Sequence, residues 1–388
     1  MHPALKGRAT VSCPFGTQGI SVRSAQFWLL FREDKTNMVR VGLIGFGLAG
    51  QAFHAPVILG VPGMELACIL ERHGSRAKER YPKVRVARSL EELLSDTTIG
   101  LCVVATPNDS HFSYAKACLE AGRDVVVDKP FTPTMTEAEQ LVRLAAERGR
   151  LLTVYQDRRC DGVFQTVKKL LASGELGAIA EYEARFDRFR LEPRLNWREQ
   201  ADFPAAGVLW DLGPHLIDQA LVLFGEPQAI SAAAFCQRAT SKVDDAFDVI
   251  MEYPGLRAEL RARIIAYAPG PHVVLHGSKG SFIKYGMDPQ EEFLRSPSCP
   301  DGDQWGPDWG LEPEERWGTL SLVNGQIRKV KTERGDYRRF YANVLDAIEK
   351  RASLDVAPEQ ALRVMRALLL AHKSSREGRT VRWTEVPE

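Results

Sequence analysis

The first part of the chain alternates short, continuous apolar runs with amphipathic stretches of helical length. A helical stretch beginning near Thr136 carries a predicted capping box, Thr134 to Glu137. Continuous apolar strands joined by helices indicate a parallel sheet covered on both faces, which right-handed crossovers turn into a doubly wound domain over residues 38–157. The runs predicted as strands are VGLI (41–44), GMELACIL (63–70), IGLCVVAT (99–106), DVVVDKP (124–130) and LLTVYQ (151–156).

The apolar period changes after a predicted helix near residues 162–173. In LRAELRARIIA (256–266) and AFDVIMEY (246–253), apolar and polar residues alternate, which predicts antiparallel strands with one face packed on helices. Residues 288–335 are rich in Pro, Gly, Trp and charge, and we expect a long loop with a hairpin there. Two closing helices follow. Residues 158–388 therefore predict a second, α+β domain with an open, mainly antiparallel sheet.

Composition narrows the class of partner. A chain of 388 residues with 44% apolar content is long enough for two cores. Its formal charge of +1 is not the strongly positive charge expected of a protein that binds nucleic acid or anionic membranes. Small, neutral or weakly charged ligands are therefore favoured. Seven cysteines without a CxxC indicate neither a zinc site nor a disulfide framework. We therefore expect a reducing, cytoplasmic location and no structural metal.

Residues 1–37 lack the periodicity of the rest of the chain. Their longest apolar run, Phe27 to Phe31, is too short for a signal peptide or a membrane span. We expect a disordered tail or a misassigned start, with the fold beginning at Met38. The absence of acidic residues before Glu33 also suits a transit peptide.

Three glycines, Gly45, Gly47 and Gly50, lie between the first predicted strand and the helix after it. Alone, this GxGxxG pattern is also compatible with a simple tight turn. Its place at the start of an alternating strand and helix array favours a dinucleotide site. Gly45 would allow the turn, Gly47 the approach of the pyrophosphate, and Gly50 close packing of helix on strand.

Charged residues end the second predicted strand. Glu71 lies about where an acidic side chain accepts the ribose hydroxyls of NAD, whereas Arg72 could neutralise the extra phosphate of NADP. Two solvated loop charges are the alternative. Because Glu71 would repel the added phosphate, the sequence leans towards NAD.

Lys129 follows a buried strand, at the sheet edge where open α/β sheets bind ligands. A lysine that extends its ammonium into solvent is the alternative interpretation. The position of Lys129 thus makes it a candidate ligand-binding residue.

His215 lies in WDLGPHLIDQALVLFGEP (210–227), which predicts a helix starting near Gly213 and Pro214. This places His215 in the first turn, with Asp211 close enough to hydrogen-bond to the imidazole or to raise its pKa. A buried structural histidine is the alternative. No second histidine stands at ligand spacing, so we do not expect metal ligation.

Four motifs occur in one order along the chain: GLIGFGLAG, VVATPNDSH, VVVDKPFT and DLGPHLID. Together they resemble the glucose-fructose oxidoreductase and inositol dehydrogenase (Gfo/Idh/MocA) family. The similarity covers about residues 39–380. It implies a Rossmann domain followed by an open antiparallel sheet, and hydride transfer between NAD(P) and a sugar, cyclitol or related alcohol. We also expect a homo-oligomer, a dimer or tetramer, through the open, arginine-lined sheet face.

Residue roles follow from this resemblance. It implies a catalytic group of Lys129, Asp211 and His215. NWRE resembles a loop that closes on the cofactor, which implies that Trp197 and Arg198 help to hold either the nicotinamide end or the substrate. The implied cofactor-binding residues are Gly45, Phe46, Gly47, Leu48, Ala49, Gly50, Glu71, Arg72, Thr106, Pro107, Asn108, His111, Asp128, Lys129, Trp197 and Arg198.

Within the family, FDRFR, HGSKGSFIKYGMDPQE and GDYRRFY look most like the subgroup of NADP-dependent scyllo-inositol dehydrogenases. That subgroup usually has small polar residues where Leu70, Glu71 and Arg72 stand, a departure that bears on cofactor choice. It usually has His-Asn where this chain has Gln156 and Asp157, which bears on the substrate. Ala205 and Ala206 replace glycines, with less expected effect.

The leading hypothesis is a dehydrogenase or reductase of a polyhydroxylated substrate. A dinucleotide-sensing regulator without turnover, or a glycosidase that uses bound NAD for transient oxidation, would share the fold. The presence of both the lysine and the histidine favours the enzyme over the regulator.

Overall fold

The structure is a computed structural model that describes residues 38–194, 196–296, 299 and 305–387. The predicted tail, residues 1–37, lies outside these residues. Two β-sheets organise the chain, one of six strands and one of nine. They confirm the predicted fold class, a Rossmann domain followed by an α+β domain.

The first sheet is parallel throughout, with strand order β3-β2-β1-β4-β5-β6. Because the order reverses between β1 and β4, a crevice opens at the carboxyl ends of these central strands. The strands are β1 (Val39–Ile44), β2 (Met64–Leu70), β3 (Arg85–Ala87), β4 (Leu101–Val104), β5 (Asp124–Val127) and β6 (Leu152–Val154). The helices are α1 (Ala55–Leu59), α2 (Arg76–Arg80), α3 (Leu90–Leu94), α4 (His111–Glu120) and α5 (Met135–Arg148).

Alternate residues of β4 belong to different apolar clusters. Leu101 and Val103 belong to one, and Cys102 and Val104 to the other. Both faces of the first sheet are therefore buried, which explains why its strands are apolar without alternation.

Two predicted helix starts have different outcomes. The capping box of α5 is present, with Thr134 and Glu137 bonded reciprocally. The side chain of Ser110, the predicted cap of α4, makes no capping bond to the helix. Its hydroxyl instead donates to Pro107 O and Thr106 Oγ1, both at 2.8 Å, because a 3₁₀ turn, Asn108–Ser110, precedes α4.

The second sheet has the order β14-β13-β12-β11-β7-β10-β9-β8-β15. Only β7 and β10 pair in parallel among its described neighbours, so the sheet is mainly antiparallel as predicted. Its strands are β7 (Ile179–Asp187), β8 (Ala229–Phe235), β9 (Ala246–Tyr253), β10 (Leu256–Arg263), β11 (Val273–Gly277), β12 (Gly280–Lys284), β13 (Gly318–Leu322), β14 (Ile327–Val330) and β15 (Val381–Arg382).

Helices join the two sheets. The longest described helix, α10, contacts β6 and α5 as well as α7 and β8. Lys129, just past the carboxyl end of β5, bonds to Asp211 of α7, so α7 lies near the carboxyl edge of the first sheet. The short helix α8 lies in a segment predicted as loop and hairpin. No helix in the described part of the chain is long and apolar enough to cross a membrane. These helices are α6 (Gly162–Ser173), α7 (Val208–Phe224), α8 (Gln290–Arg295), α9 (Arg338–Ile348) and α10 (Pro358–Glu377).

The start of α7 differs from the prediction. The helix begins at Val208, so His215 lies in its second turn and Pro214 lies inside it. The backbone N–H groups of Val208 and Leu209 donate to the carbonyl and carboxylate of Asp244, at 2.9 and 2.7 Å. A residue distant in sequence thus satisfies the first turn, and the Gly-Pro pair does not mark the start.

Candidate active site

Two adjoining cavities lie at the carboxyl edge of the first sheet. The first, of about 390 Å³, is lined by the glycine loop, the ends of β2 and β4, and the turn Trp197–Glu199. The second, of about 290 Å³, is lined by the predicted catalytic residues. Leu48, Ala49, Trp197 and Arg198 line both cavities. We call them the dinucleotide cavity and the substrate cavity, after the roles that the sequence assigns.

The glycine loop fits a dinucleotide. Gly45 has φ +98°, and a Cβ there would lie 2.7 Å from Ala105 O. A Cβ on Gly50 would lie 2.3 Å from Gly45 O, so loop and helix pack without room for a side chain. A Cβ on Gly47 would meet no protein atom within 4 Å, although Gly47 lines the cavity. Space beside its backbone is therefore open to a pyrophosphate.

Most of the predicted cofactor residues gather around the dinucleotide cavity. Those lining it are Gly45, Phe46, Gly47, Leu48, Ala49, Glu71, Arg72, Thr106, Pro107, Trp197 and Arg198. Asp128 and Lys129 line the substrate cavity instead. The sequence reasoning missed His73, Arg76 and Tyr114, which also line the dinucleotide cavity.

Two predicted contacts point away from both cavities. Asn108 is fully buried and donates to Ala205 O at 3.0 Å. The His111 ring lies between the carbonyls of Thr106 and Pro130, at 3.0 Å from each. The 3₁₀ turn before α4 directs both side chains inward, so we now expect them to hold the loop and not the cofactor.

The Glu71 carboxylate is already engaged. Its Oε2 accepts the backbone N–H of Ala77 in α2 at 3.1 Å, and its Oε1 lies 3.4 Å from Nε of Arg76. The side chain is only 4% exposed, whereas Arg72 and Arg76 are exposed at the rim of the same cavity. Glu71 is therefore less free to meet a ribose, or to repel a phosphate, than the sequence alone suggested.

Lys129 and Asp211 form the centre of the substrate cavity. Nζ of Lys129 donates to Asp211 O at 2.5 Å and to its Oδ1 at 3.1 Å, and Nε of Arg198 donates to the same Oδ1 at 3.2 Å. Burial would raise the pKa of Asp211, but Lys129, Arg198 and Arg188 hold it well below its usual value. An ionised Asp211 thus fixes the ammonium of Lys129.

Among the described residues no hydrogen bond joins His215 to Asp211, whose carboxylate is bonded to Lys129 and Arg198. The second predicted effect is present, because Asp211 acts to raise the pKa of the imidazole, but other groups outweigh it. Burial, Lys129 and Arg158 lower the pKa of His215 well below its usual value, so the imidazole is neutral. Its Nδ1 has no hydrogen-bond partner in the described residues, and the nearest carboxylate oxygen paired with it is Oδ1 of Asp157, 3.8 Å away.

The sequence connected Asp157 with the choice of substrate but gave it no role beside His215, and the structure places it in the substrate cavity. It is buried directly after β6, and burial raises its pKa to about 6 although two cations oppose the shift. The charged groups that act on it are Arg158 and Lys129, which favour ionisation, and Asp128 and Glu291, which oppose it. Near neutral pH the pair of Asp157 and His215 therefore has an ionised carboxylate beside a neutral ring.

Four arginines and a glutamate complete the substrate cavity. Arg158 follows β6, the strand after Lys129, so its position at the carboxyl edge was available as a signal. The others come from the second domain, where periodicity gave no indication of what faces the cavity. These residues are Arg158, Arg188, Arg194, Arg295 and Glu291. No group of three or more potential ligands among the described residues is placed to hold a metal ion.

Family models match the chain in two consecutive parts. Residues 39–156 match the oxidoreductase family with an NAD-binding Rossmann fold, and residues 164–283 match the GFO/IDH/MocA C-terminal domain. The chain belongs to the Gfo/Idh/MocA family. As a member of the Gfo/Idh/MocA family, it is an NAD(P)-dependent oxidoreductase that acts on CH–OH groups.

Relatives of this Gfo/Idh/MocA protein match nearly their whole length. The uncharacterised oxidoreductase YdgJ of Escherichia coli (strain K12) is 42% identical over 346 residues, 88% of this chain and 98% of YdgJ. The scyllo-inositol 2-dehydrogenase (NADP(+)) IolW of Bacillus subtilis (strain 168) is 38% identical, over 91% and 98%. The structure of yvaA from Bacillus subtilis superposes with a TM-score of 0.85 at 36% identity, covering 90% of this chain and 99% of that one.

Proposed function

We propose that the protein oxidises or reduces a cyclitol, sugar or related polyol, with Lys129, Asp211 and His215 as its catalytic group. The observation that carries the proposal is that Lys129 and His215 line one cavity, which shares four residues with the glycine-loop cavity. A group bound on the glycines and extending to Trp197 would reach the edge of the substrate cavity. We further propose that the dinucleotide domain spans residues 38–157.

Each member of the site has a chemical part in this proposal. A nicotinamide held between the glycine loop and Trp197 would supply the acceptor for the hydride, with both electrons of the C–H bond, that leaves the carbinol carbon. Neutral His215 accepts the hydroxyl proton, and the ammonium of Lys129 donates a hydrogen bond to the oxygen as it becomes a carbonyl. Asp211 orients Lys129, and Trp197 and Arg198 line both cavities where they adjoin.

A substrate screen tests the proposal. Purified protein is incubated with NAD or NADP and with cyclitols, aldoses and sugar acids, while the absorbance of the reduced nicotinamide is followed. We expect growth of this band with at least one polyol and its loss in the His215→Asn variant. Dinucleotide binding without turnover of any candidate would favour a regulator, and product without net reduction of the nicotinamide would favour a glycosidase.

Replacing Asp157 with asparagine is expected to change the pH profile of oxidation. An ionised Asp157 stabilises the imidazolium that forms on His215, so the wild-type kcat should fall as pH drops through about 6. We expect Asp157→Asn to abolish this acid limb and to lower kcat at pH ~8 by about 10- to 100-fold. An unchanged limb near this pH would assign it to another group.

The same substitution should raise stability. The folded carboxyl binds its proton with a pKa of about 6 against an unfolded value of about 3.9, so stability falls as pH rises through this window. Above the window, Asp157→Asn should increase the free energy of unfolding by up to about 3 kcal/mol. Denaturant titrations at pH ~4 and ~8 measure the difference, and a variant less stable than wild type at the higher pH would contradict it.

Arg72 and Arg76 are expected to set the choice between dinucleotides. Both are exposed at the rim of the dinucleotide cavity, and only Nε of Arg76 is engaged with Glu71, so the remaining N–H groups of the two arginines can meet a 2′-phosphate. We infer that both dinucleotides are accepted, and that the double variant Arg72→Ala, Arg76→Ala lowers kcat/KM for NADP relative to NAD by about 10- to 100-fold. Arg143→Ala, an exposed position outside both cavities, is the matched control.

An unchanged ratio in the double variant would assign cofactor choice to other residues. The preference for NAD, which the sequence favoured, stays a prediction that the wild-type ratio measures. Association through the open face of the second sheet and a cytoplasmic location also stay predictions.

A further inference from the structure

The substrate cavity is richer in cations than the chain as a whole. Six cationic side chains line it against four carboxylates, whereas the whole sequence is nearly balanced. Lys129 and Arg198 share Asp211. The remaining cations are arginines from four separate segments: the turn after β6, the end of β7, the following loop and α8.

Three of these arginines share one carboxylate. Glu291 contacts Arg158, lies 3.3 Å from Nη2 of Arg188, and lies 3.1 Å from Nη1 of Arg295. Burial would raise the pKa of Glu291, but Arg158 and Arg188 lower it to about 2, so it is ionised. One negative charge thus faces three guanidinium groups, of which Arg158 has a second acidic neighbour, Asp161, at 3.4 Å.

Arg194 is the exception among the four. Its backbone N–H donates to Glu199 at 3.1 Å, but within the described residues its guanidinium forms no hydrogen bond or ion pair. Burial and the neighbouring Arg190, Arg188 and Arg295 lower the pKa of Arg194, and Asp211, which is itself bonded to Lys129 and Arg198, only partly opposes them; a guanidinium nevertheless stays protonated at physiological pH. A half-buried cation held among other cations is unfavourable unless an anion joins it.

The position of Arg194 indicates which molecule would bring that anion. It lines the substrate cavity and an adjoining, more open cavity of about 520 Å³, which Arg188 and Arg295 also line. It does not line the dinucleotide cavity, where the glycine loop would hold the phosphates of a bound dinucleotide. The anion would therefore enter with the substrate.

We propose that the polyol carries an oxyanion, a carboxylate or a phosphate, which Arg194 binds together with Arg188 and Arg295. The protein is then a dehydrogenase of an acidic sugar or acidic polyol. The inference rests on the proposed function and makes its substrate class more specific. The oxyanion itself is unchanged while the carbinol carbon is oxidised as described above. A planar guanidinium pairs with either group through two parallel hydrogen bonds.

Anion binding is measured first, without turnover. Inorganic phosphate and acetate are titrated at constant ionic strength into protein saturated with NADP, and the melting temperature is followed. We expect a saturable rise for at least one anion, its loss in Arg194→Met, and partial retention in Arg194→Lys. Arg328→Met, which removes an arginine outside both cavities, is the control and should behave as wild type. The anion that raises the melting temperature at the lower concentration indicates whether the substrate carries a phosphate or a carboxylate.

Turnover is then compared for glucose, glucuronate and glucose 6-phosphate, which differ in one substituent. We expect an acidic member to have the highest kcat/KM, and Arg194→Met to lower the ratio of acidic to neutral efficiency by about 10- to 100-fold, chiefly through KM. No saturable anion binding, or an equal rise in Arg194→Met, would overturn the inference. Oxidation of neutral polyols with an unchanged ratio would overturn it while leaving the dehydrogenase intact. If anions bind in an Arg194-dependent way but no substrate is oxidised, the proposed anion site stands and the proposed dehydrogenase activity is rejected.

Discussion

The His215→Asn variant is expected to lose about 10²- to 10⁴-fold in kcat while keeping nearly normal affinity for the dinucleotide. The imidazole lines the substrate cavity, and its lowered pKa keeps it neutral and ready to accept a proton. Asparagine is of similar polarity but cannot take up that proton. Steady-state kinetics with the substrate from the screen, and cofactor titration by fluorescence, measure the two quantities.

A buried structural histidine would give the opposite pattern. The melting temperature would then fall while the surviving protein turned over normally. His276→Asn serves as the control, because His276 contacts Ser281 in the second sheet and lines neither cavity. Near-normal kcat in folded His215→Asn would reject the proton-transfer assignment.

The second large effect is expected for Lys129→Met, which should also lower kcat by about 10²- to 10⁴-fold. A thioether fills much of the space of the lysine chain but donates no hydrogen bond to the substrate oxygen. Asp211 keeps Arg198 as a partner in this variant, so the carboxylate does not become an unpaired buried charge. Lys169→Met, at an exposed position paired with Glu333, is the matched control.

The double variant distinguishes a shared role from two separate ones. Lys129 and Arg158 both lower the pKa of His215, so removal of the lysine also changes the proton acceptor. We therefore expect the losses of Lys129→Met and His215→Asn not to add. Full additivity of the two losses would show that the groups act in independent steps.

Most of the fold could be predicted from the sequence because most of the patterns that specify its strands and helices involve residues close together in the chain. The apolar runs of β2 and β6, and the capping box of α5, each depend on neighbours within a few residues. The start of α7 does not. It depends on Asp244, more than thirty residues away in sequence, which satisfies the first N–H groups of the helix. Local patterns carry no information about such a partner.

The sequence predicted the site residues that directly follow a strand. It did not predict the contacts that depend on tertiary packing. The glycines and Lys129 stand at the carboxyl ends of predicted strands, and the structure places them at two adjoining cavities. Pairing of Asp211 with Lys129, and of His215 with Asp157, depends on how α7 packs against the first sheet. The arginines around Glu291 come from elements distant in sequence. The nearly balanced net charge of the chain therefore gave no indication that one cavity is rich in cations.

The turn that carries Trp197 and Arg198 lines both cavities, and Arg198 is bonded to the carboxylate that holds Lys129. A ligand that contacts this turn in one cavity therefore also contacts residues that line the other cavity. Thermodynamic linkage makes any such coupling reciprocal. If a bound dinucleotide lowers the dissociation constant of the substrate by some factor, a bound substrate lowers that of the dinucleotide by the same factor. We therefore expect the turn to couple the two binding equilibria within a single subunit.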